Sequence, residues 1–209
     1  MKFRYLFLIL VALILAGAGC KTEKPPTVTE LLTNPVVEKE EPEITKEPEK
    51  LEIIPRSPGI LPKDQIANKV AVIKTKNGNI VINLLADEAP LAVSNFISLT
   101  KKSFYNGLAF HRVEPGFVVQ GGDPRGDGTG GPGYAFADEP VTRDYLEGVV
   151  AMANSGPNTN GSQFFIILKD TPQLPKNYTI FGQVIYGMDA VKAISAGDKM
   201  EEVTIENAQ

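Results

Sequence analysis

The spacing of apolar positions changes along the chain, and each rhythm predicts a different element. From position 68, two β-branched runs at 70–75 and 79–84 flank Asn77-Gly78. Such runs about an Asn-Gly pair predict a β-hairpin, because that pair tolerates the positive φ of a tight hairpin turn. In 87–102 the apolar positions Val93, Phe96, Ile97 and Thr100 recur three and four apart, and Pro90 suits a first turn. That is helical spacing. Met188, Val191 and Ile194 predict a second helix over 188–195, with Gly197 as its stop. Between them lie short apolar runs broken by Gly and Pro, at 109–113, 116–120, 148–152, 163–168, 179–184 and 202–206. With the hairpin they make eight strands and two helices, with no βαβ alternation. The expected fold is β-dominated, a closed eight-stranded antiparallel barrel capped by two helices, which removes exposed strand edges.

Upstream of 67 this rhythm is missing. Residues 1–20 begin with Lys2 and Arg4, continue as an apolar run over 5–15, and end in Ala16-Gly17-Ala18-Gly19-Cys20. A basic start, a short apolar run and small residues read as a secretory signal. The stretch resembles a bacterial lipoprotein signal, which implies lipid on Cys20 and an extracytoplasmic domain anchored to the cell membrane; Gly17 departs from the aliphatic residue usual there. Residues 21–65 hold half of the sixteen prolines and none of the sixteen aromatics. A segment so composed has nothing with which to build a core and reads as a disordered, extended tether. The expected organisation is therefore a signal peptide at 1–19, a Cys20 that the resemblance implies is lipidated and a tether at 20–66, and a folded domain at 67–209.

The 209 residues suffice for one domain. A net charge of −4 without a basic face excludes nucleic acid as a partner. One Cys and one His exclude a disulfide framework, a CxxC redox pair and a zinc site of His and Cys ligands, so no metal or cofactor is expected. Gly126-Asp127-Gly128-Thr129-Gly130-Gly131 fits a dinucleotide fingerprint, but Pro132-Gly133 stands where the helix should begin. A calcium loop from Asp123 fails on Arg125 and Tyr134. Arg125-Gly126-Asp127 is too short to carry an adhesion reading. A serine hydrolase centred on Ser162 lacks GxSxG and would depend on His111 alone.

What remains is a long constellation: Phe110-His111-Arg112-Val113-Glu114-Pro115-Gly116-Phe117-Val118-Val119-Gln120-Gly121-Gly122-Asp123, then Gly128-Thr129-Gly130-Gly131, then Met152-Ala153-Asn154-Ser155-Gly156-Pro157-Asn158-Thr159-Asn160-Gly161-Ser162-Gln163-Phe164-Phe165-Ile166. It resembles the cyclophilin family of peptidyl-prolyl cis/trans isomerases, over about residues 68–207. The resemblance implies the capped barrel and a proline-peptide groove on its outer face. Arg112 would be the catalytic guanidinium. Phe117, Val118, Phe165 and Leu174 would line the proline pocket, with Tyr178 on one wall. Gln120, Asn154 and Gln163 would bind peptide backbone, and Gly128, Thr129, Ala153 and Ser155 would shape the rim. Two positions depart: Gln173 replaces the Trp of cyclophilins best known for cyclosporin binding, and Tyr178 replaces a pocket His.

The implied reaction is rotation about a partial double bond, which needs no nucleophile, metal or cofactor. Alternation lets only one of Phe164 and Phe165 face outward, and it turns His111 away from the face of Arg112, so His111 reads as structural. The expected partners are proline-containing segments of unfolded or exported proteins, together with the lipid membrane through the N-terminal anchor, for a monomeric protein. A membrane-tethered proline-peptide binding module, in which catalysis is incidental, is the competing reading.

Overall fold

A computed structural model describes residues 56–208. The expected signal peptide, Cys20 and the tether as far as residue 55 lie outside the described residues, as does Gln209. The described residues form α1 (Lys63–Ile66), β1 (Lys69–Thr75), β2 (Gly78–Leu84), α2 (Pro90–Lys101), β3 (Arg112–Glu114), β4 (Val118–Gly121), β5 (Val149–Met152), β6 (Phe164–Ile167), β7 (Ile180–Tyr186), α3 (Met188–Lys192) and β8 (Glu202–Asn207). The hairpin forms where Asn77-Gly78 predicts it, with β1 and β2 antiparallel from Val70–Asn83 to Thr75–Gly78.

Period-two alternation divides the sheet into two faces. One face sends Ala71, Ile73, Ile80, Ile82, Val119, Val150, Phe164, Ile166 and Phe181 into the main core, all fully buried. The apolar stripe of α2, Val93, Phe96 and Ile97, closes that core from one side. Phe96 sits 4.8 Å from Tyr105 and 5.7 Å from Phe164, ring centre to ring centre. Truncating such a buried ring costs about 3–5 kcal/mol. The other face of β4, β5 and β6 carries Val118, Val149, Ala151, Phe165 and Ile167, which join Tyr145 and Ile180 in a second, outer cluster.

The strands form one antiparallel sheet in the order β3-β4-β6-β5-β7-β2-β1-β8, a half-barrel. Strands β3 and β8 are its two ends and share no ladder, unlike the ends of the closed barrel expected from sequence. Loops join them instead. The Gly107 N–H donates to the Met200 carbonyl, the Met200 N–H to Leu108, the Phe110 N–H to Asp198 and the Gly197 N–H to Phe110, about a single Ala109–Lys199 bridge. Gly107 and Gly197 have φ of 79° and 94°, which takes the backbone out of the β region beside that bridge. The strand expected at 109–113 is accordingly reduced to β3.

Helix α1 falls within the stretch read as tether, being too short for its period to be read from sequence. It is nevertheless attached to the fold: Ile66 is buried in the main core, and the Leu61 N–H donates to Ser94 Oγ at 2.9 Å. Helix α2 begins at Pro90, whose missing N–H would have had no helical partner. The next two N–H groups, Leu91 and Ala92, donate to the two oxygens of Glu139 at 2.8 Å each. Burial raises the Glu139 carboxyl above its ordinary value despite these bonds.

Candidate active site

The outer face of the β3-β4-β6-β5 region places one residue from each strand in a row. Arg112 lies opposite Gln120, Gln120 opposite Phe165, and Phe165 opposite Ala151. Cross-strand neighbours on one face approach closely enough for side chains to touch. The row therefore sets a cation, an amide and an aromatic ring side by side.

The polar members form a directed relay. Arg112 Nη1 donates to Gln120 Oε1 at 3.2 Å, Gln120 Nε2 to Gln163 Oε1 at 2.9 Å, and Gln163 Nε2 to the carbonyls of Gly128 and Gly130 at 2.9 and 2.8 Å. Its polarity is fixed at both ends, because a guanidinium only donates and a carbonyl only accepts. Arg112 Nε also faces Glu114 at 3.5 Å, and the Arg112 side chain stays 47% exposed. The guanidinium thus stands at the surface, anchored along one side.

The loop that receives the relay is organised by Asp123, 1% exposed. Its carboxylate accepts the N–H groups of Arg125 and Gly128 at 2.7 and 2.6 Å. Burial, the largest single effect, raises the Asp123 pKa, but the N–H groups of Arg125, Gly128, Gly130 and Gly126 together hold it below its ordinary value. A Cβ on Gly130 would collide with that carboxylate, so glycine is required there. Asp123 was not singled out for this role from sequence; the signal is an Asp leading into a Gly-rich stretch, which favours side-chain capping of backbone N–H groups.

Beside the relay lies a depression of about 430 Å³, walled by Gln120, Gly128, Thr129, Ala153, Asn154, Ser155 and Gln163. These are seven of the expected site residues. Arg125, Tyr134 and Thr159 also line it and were not anticipated. Asn95 supports its wall from within the fold: Tyr134 Oη donates to Asn95 Oδ1 at 2.7 Å, and Asn95 Nδ2 donates to the Gly161 carbonyl at 2.8 Å. Arg112, Phe117, Val118, Phe165, Leu174 and Tyr178 lie outside this depression. Phe117, Val118, Phe165, Leu174 and Tyr178 belong to the outer apolar cluster, which the Gln120–Phe165 pair joins to the depression.

In that cluster Phe165 is 6% exposed and meets Tyr178 edge-on, ring centres 5.4 Å apart. Tyr178 is held by Tyr145, whose Oη donates to the Tyr178 carbonyl at 2.9 Å and accepts its N–H at 3.0 Å. Tyr145 reads from sequence only as one more aromatic. Phe117 follows a turn through Gly116, φ 73°, and its carbonyl accepts the Leu168 N–H at 2.8 Å. Gln173 is exposed.

Two expected backbone binders have their side-chain amides engaged. Gln163 is occupied by the relay, and Asn154 Nδ2 donates to the Asn177 carbonyl at 2.8 Å while its Oδ1 accepts the Gly156 N–H at 3.3 Å. His111 is half-buried, with Nδ1 buried and unpaired. Burial, the largest effect, lowers its pKa, so the ring is neutral at neutral pH. Ser162 is buried and donates to the Gly122 carbonyl at 2.6 Å, an arrangement with no nucleophile–base pair.

Comparison with known proteins fits this geometry. The family model for cyclophilin type peptidyl-prolyl cis-trans isomerases matches residues 70–209. A peptidyl-prolyl cis-trans isomerase of Helicobacter pylori is 44% identical over 142 residues, covering 66% of this chain and 87% of its own. Peptidyl-prolyl cis-trans isomerase B of Bacillus subtilis is 44% identical over 141 residues, covering 66% of this chain and 99% of its own. The crystal structure of a cyclophilin type isomerase of Cryptosporidium parvum superposes with a TM-score of 0.62 at 33% identity, covering 66% of this chain and 98% of that one. A second structure of that protein, in the presence of the dipeptide Ala-Pro, gives a TM-score of 0.57 at 34% identity. With the family model spanning the described fold and the row of Arg112, Gln120 and Phe165 in place on its outer face, this chain belongs to the cyclophilin type peptidyl-prolyl cis-trans isomerases.

Proposed function

We propose that the chain catalyses rotation about Xaa-Pro peptide bonds, with the outer face of the β3-β4-β6-β5 region as its site. The observation that carries this reading is the anchored but exposed guanidinium of Arg112 in register with an apolar cluster. Rotation breaks amide resonance against a barrier of about 18–20 kcal/mol. The prolyl nitrogen then becomes pyramidal and gains a lone pair. Arg112 donates to that lone pair, which the planar ground state does not offer, so the interaction favours the transition state selectively. Phe117, Val118, Phe165, Leu174 and Tyr178 hold the pyrrolidine ring. Gln120 fixes the guanidinium and faces the flanking peptide. Ala153, Asn154 and Ser155 offer main-chain groups to the peptide on one side, and Gly128 and Thr129 form the rim.

A 10⁵-fold acceleration needs about 7 kcal/mol, whereas one hydrogen bond to a charged group supplies about 1.5–3 kcal/mol. The remainder is assigned to orientation, one side of the bond being gripped while the other turns. The Ala-Pro dipeptide accompanying the Cryptosporidium parvum protein supports a proline-peptide ligand for the same fold. The lipoprotein-type start supports lipid on Cys20 and an activity outside the cytoplasm at the membrane. There a monomeric enzyme assists folding of exported proteins, for which slow prolyl isomerisation is a bottleneck.

The test is cis-to-trans conversion of short Xaa-Pro peptides by the full chain, beside Arg112→Ala. Turnover that falls at least about 100-fold in the variant supports the reading. Peptide binding without turnover in the unaltered chain replaces it with a tethered peptide holder. Palmitate labelling that persists in Cys20→Ala removes the lipid anchor from the proposal.

A further inference from the structure

Two residues of the outer apolar cluster, Leu174 and Tyr178, come from an arch rather than from a strand, the segment 171–178 between β6 and β7. Both feet of this arch stand on Tyr145. At one foot the Thr171 N–H donates to the Tyr145 carbonyl at 2.8 Å. At the other the Tyr145 hydroxyl donates to the Tyr178 carbonyl at 2.9 Å and accepts the Tyr178 N–H at 3.0 Å. One residue thus closes the arch, through its main chain at the first end and its side chain at the last. Tyr145 is itself 1% exposed and packs in the cluster with Val118, Val149 and Phe165, so moving its ring would open that cluster.

Between its feet the arch is stiff. Pro172 and Pro175 restrict its backbone, and the Leu174 N–H turns back to the Thr171 carbonyl at 3.1 Å. Two further ties reach it from outside. Lys176 meets Asp144 at 3.1 Å on exposed surface, where an ion pair contributes little, and Asn154 Nδ2 donates to the Asn177 carbonyl at 2.8 Å. The Tyr145 hydroxyl is the tie made at Tyr178 itself. The ring of Tyr178 stands edge-on between Tyr145 and Phe165, with centres 6.4 and 5.4 Å away, so what Tyr145 fixes is passed to the face that meets Phe165. Burial, the largest effect, raises the Tyr145 pKa, and the hydroxyl keeps the proton it donates.

We propose that Tyr145 is a positioning residue for proline binding: by clamping both feet of the arch it holds Leu174 and Tyr178 toward Phe165 and sets the width of the pocket that takes the pyrrolidine ring. The inference rests on the isomerase reading above and deepens it for the same site. The pocket encloses the ring in the planar and the twisted state alike, so a loosened clamp weakens both to the same extent. It raises KM and leaves kcat. The relay that orients Arg112 runs through Gln120 and Gln163 and does not pass through the arch.

The experiment is steady-state turnover of a tetrapeptide containing Ala-Pro by the full chain and by Tyr145→Phe, well below the Tm of each. That substitution removes the hydroxyl and keeps the ring. Tyr105→Phe is the control, because its hydroxyl donates to the Ser162 carbonyl at 3.2 Å in the main core, and its loss costs stability without touching the arch. The expected result is a KM raised about fivefold in Tyr145→Phe, as for about one hydrogen bond net, with kcat within about twofold and KM unchanged in Tyr105→Phe. An unchanged KM in Tyr145→Phe, an equal rise in both variants, or a fall in kcat as large as the rise in KM overturns the proposal and leaves the isomerase reading standing. No turnover by the unaltered chain overturns both. A second measurement needs no variant. If opening of the clamp and binding of the tetrapeptide exclude each other, the peptide at ten times its Kd raises the hydrogen-exchange protection of the Tyr178 amide about tenfold. Protection that ignores the peptide overturns the clamp.

Discussion

Gln163→Leu separates positioning of the guanidinium from support of the fold. The substitution shortens the side chain by one atom and removes three hydrogen bonds: the one accepted from Gln120 at 2.9 Å and the two donated to Gly128 and Gly130 at 2.9 and 2.8 Å. A neutral hydrogen bond contributes about 0.5–1.5 kcal/mol net. Because the site is open, water replaces much of what is lost, and the expected destabilisation is about 1–2 kcal/mol. For a domain of this size that lowers Tm by a few degrees. The effect on rate has a separate origin. Without Gln163 the Gln120 amide can turn over and present its NH₂ to Arg112, donor against donor, and the guanidinium loses its second anchor. Forfeiting about half of a charge-assisted bond worth about 1.5–3 kcal/mol lowers kcat/KM about four- to tenfold. The assay is Xaa-Pro peptide turnover at a temperature well below both Tm values, in a cycle with Gln120→Leu. Because the two residues act through one relay, the double variant should be no worse than the poorer single variant. A Gln163→Leu enzyme within twofold of the unaltered one, while Arg112→Ala is inactive, would refute the relay.

Arg112→Ala should lower kcat/KM at least about 100-fold with an unchanged Tm, since its side chain is half exposed; matched turnover and calorimetry test the pair. Asp123 sets an acid limit. Its folded pKa lies below its unfolded value, so its contribution is complete above the unfolded pKa and is lost as pH falls through the folded one. Protection factors of the Gly128 and Gly130 amides, taken relative to the base-catalysed intrinsic rate, should therefore fall in acid, and Asp123→Asn should show the lowered protection already at pH 7. Gly122→Ala places a Cβ against the Ser162 carbonyl at a φ of 83°, and should lower stability by about 1–3 kcal/mol in urea unfolding with little change in m.

The outer row was implied by the resemblance, and alternation alone left it undecided. In β6 the pair Phe164-Phe165 allows one ring outward, and choosing between them requires register with β4, which sets Gln120 opposite Phe165. Phe164 then falls in the core and Phe165 in the outer cluster. Alternation is local, whereas register depends on which strand lies alongside. The same distinction explains what could not be read. The pairing of residues 107–110 with 197–200 joins loops far apart in sequence. Tyr145 fixes Tyr178 across thirty-three positions, and Gln163 reaches the Gly128 carbonyl across thirty-five. Residue type gave the chemistry of Arg112 and Gln120; the direction in which each amide points came only from what stands at the two ends of the relay.

That direction bears on how a site with a single neutral imidazole nearby can accelerate a rotation. An amide between two flexible donors could point either way, and the guanidinium beside it would sample several orientations. Here the carboxylate of Asp123 gathers the N–H groups of the loop. Their ordering presents the Gly128 and Gly130 carbonyls to Gln163, and those carbonyls admit only its NH₂. Gln163 must then offer its oxygen to Gln120, and Gln120 its oxygen to Arg112. A buried anion at one end thus fixes an exposed cation at the other through two neutral amides, with no charge transferred and no proton moved. The cost of orienting the donor is met during folding, before a peptide arrives, and the bond to the twisted prolyl nitrogen forms without reorganisation of the site.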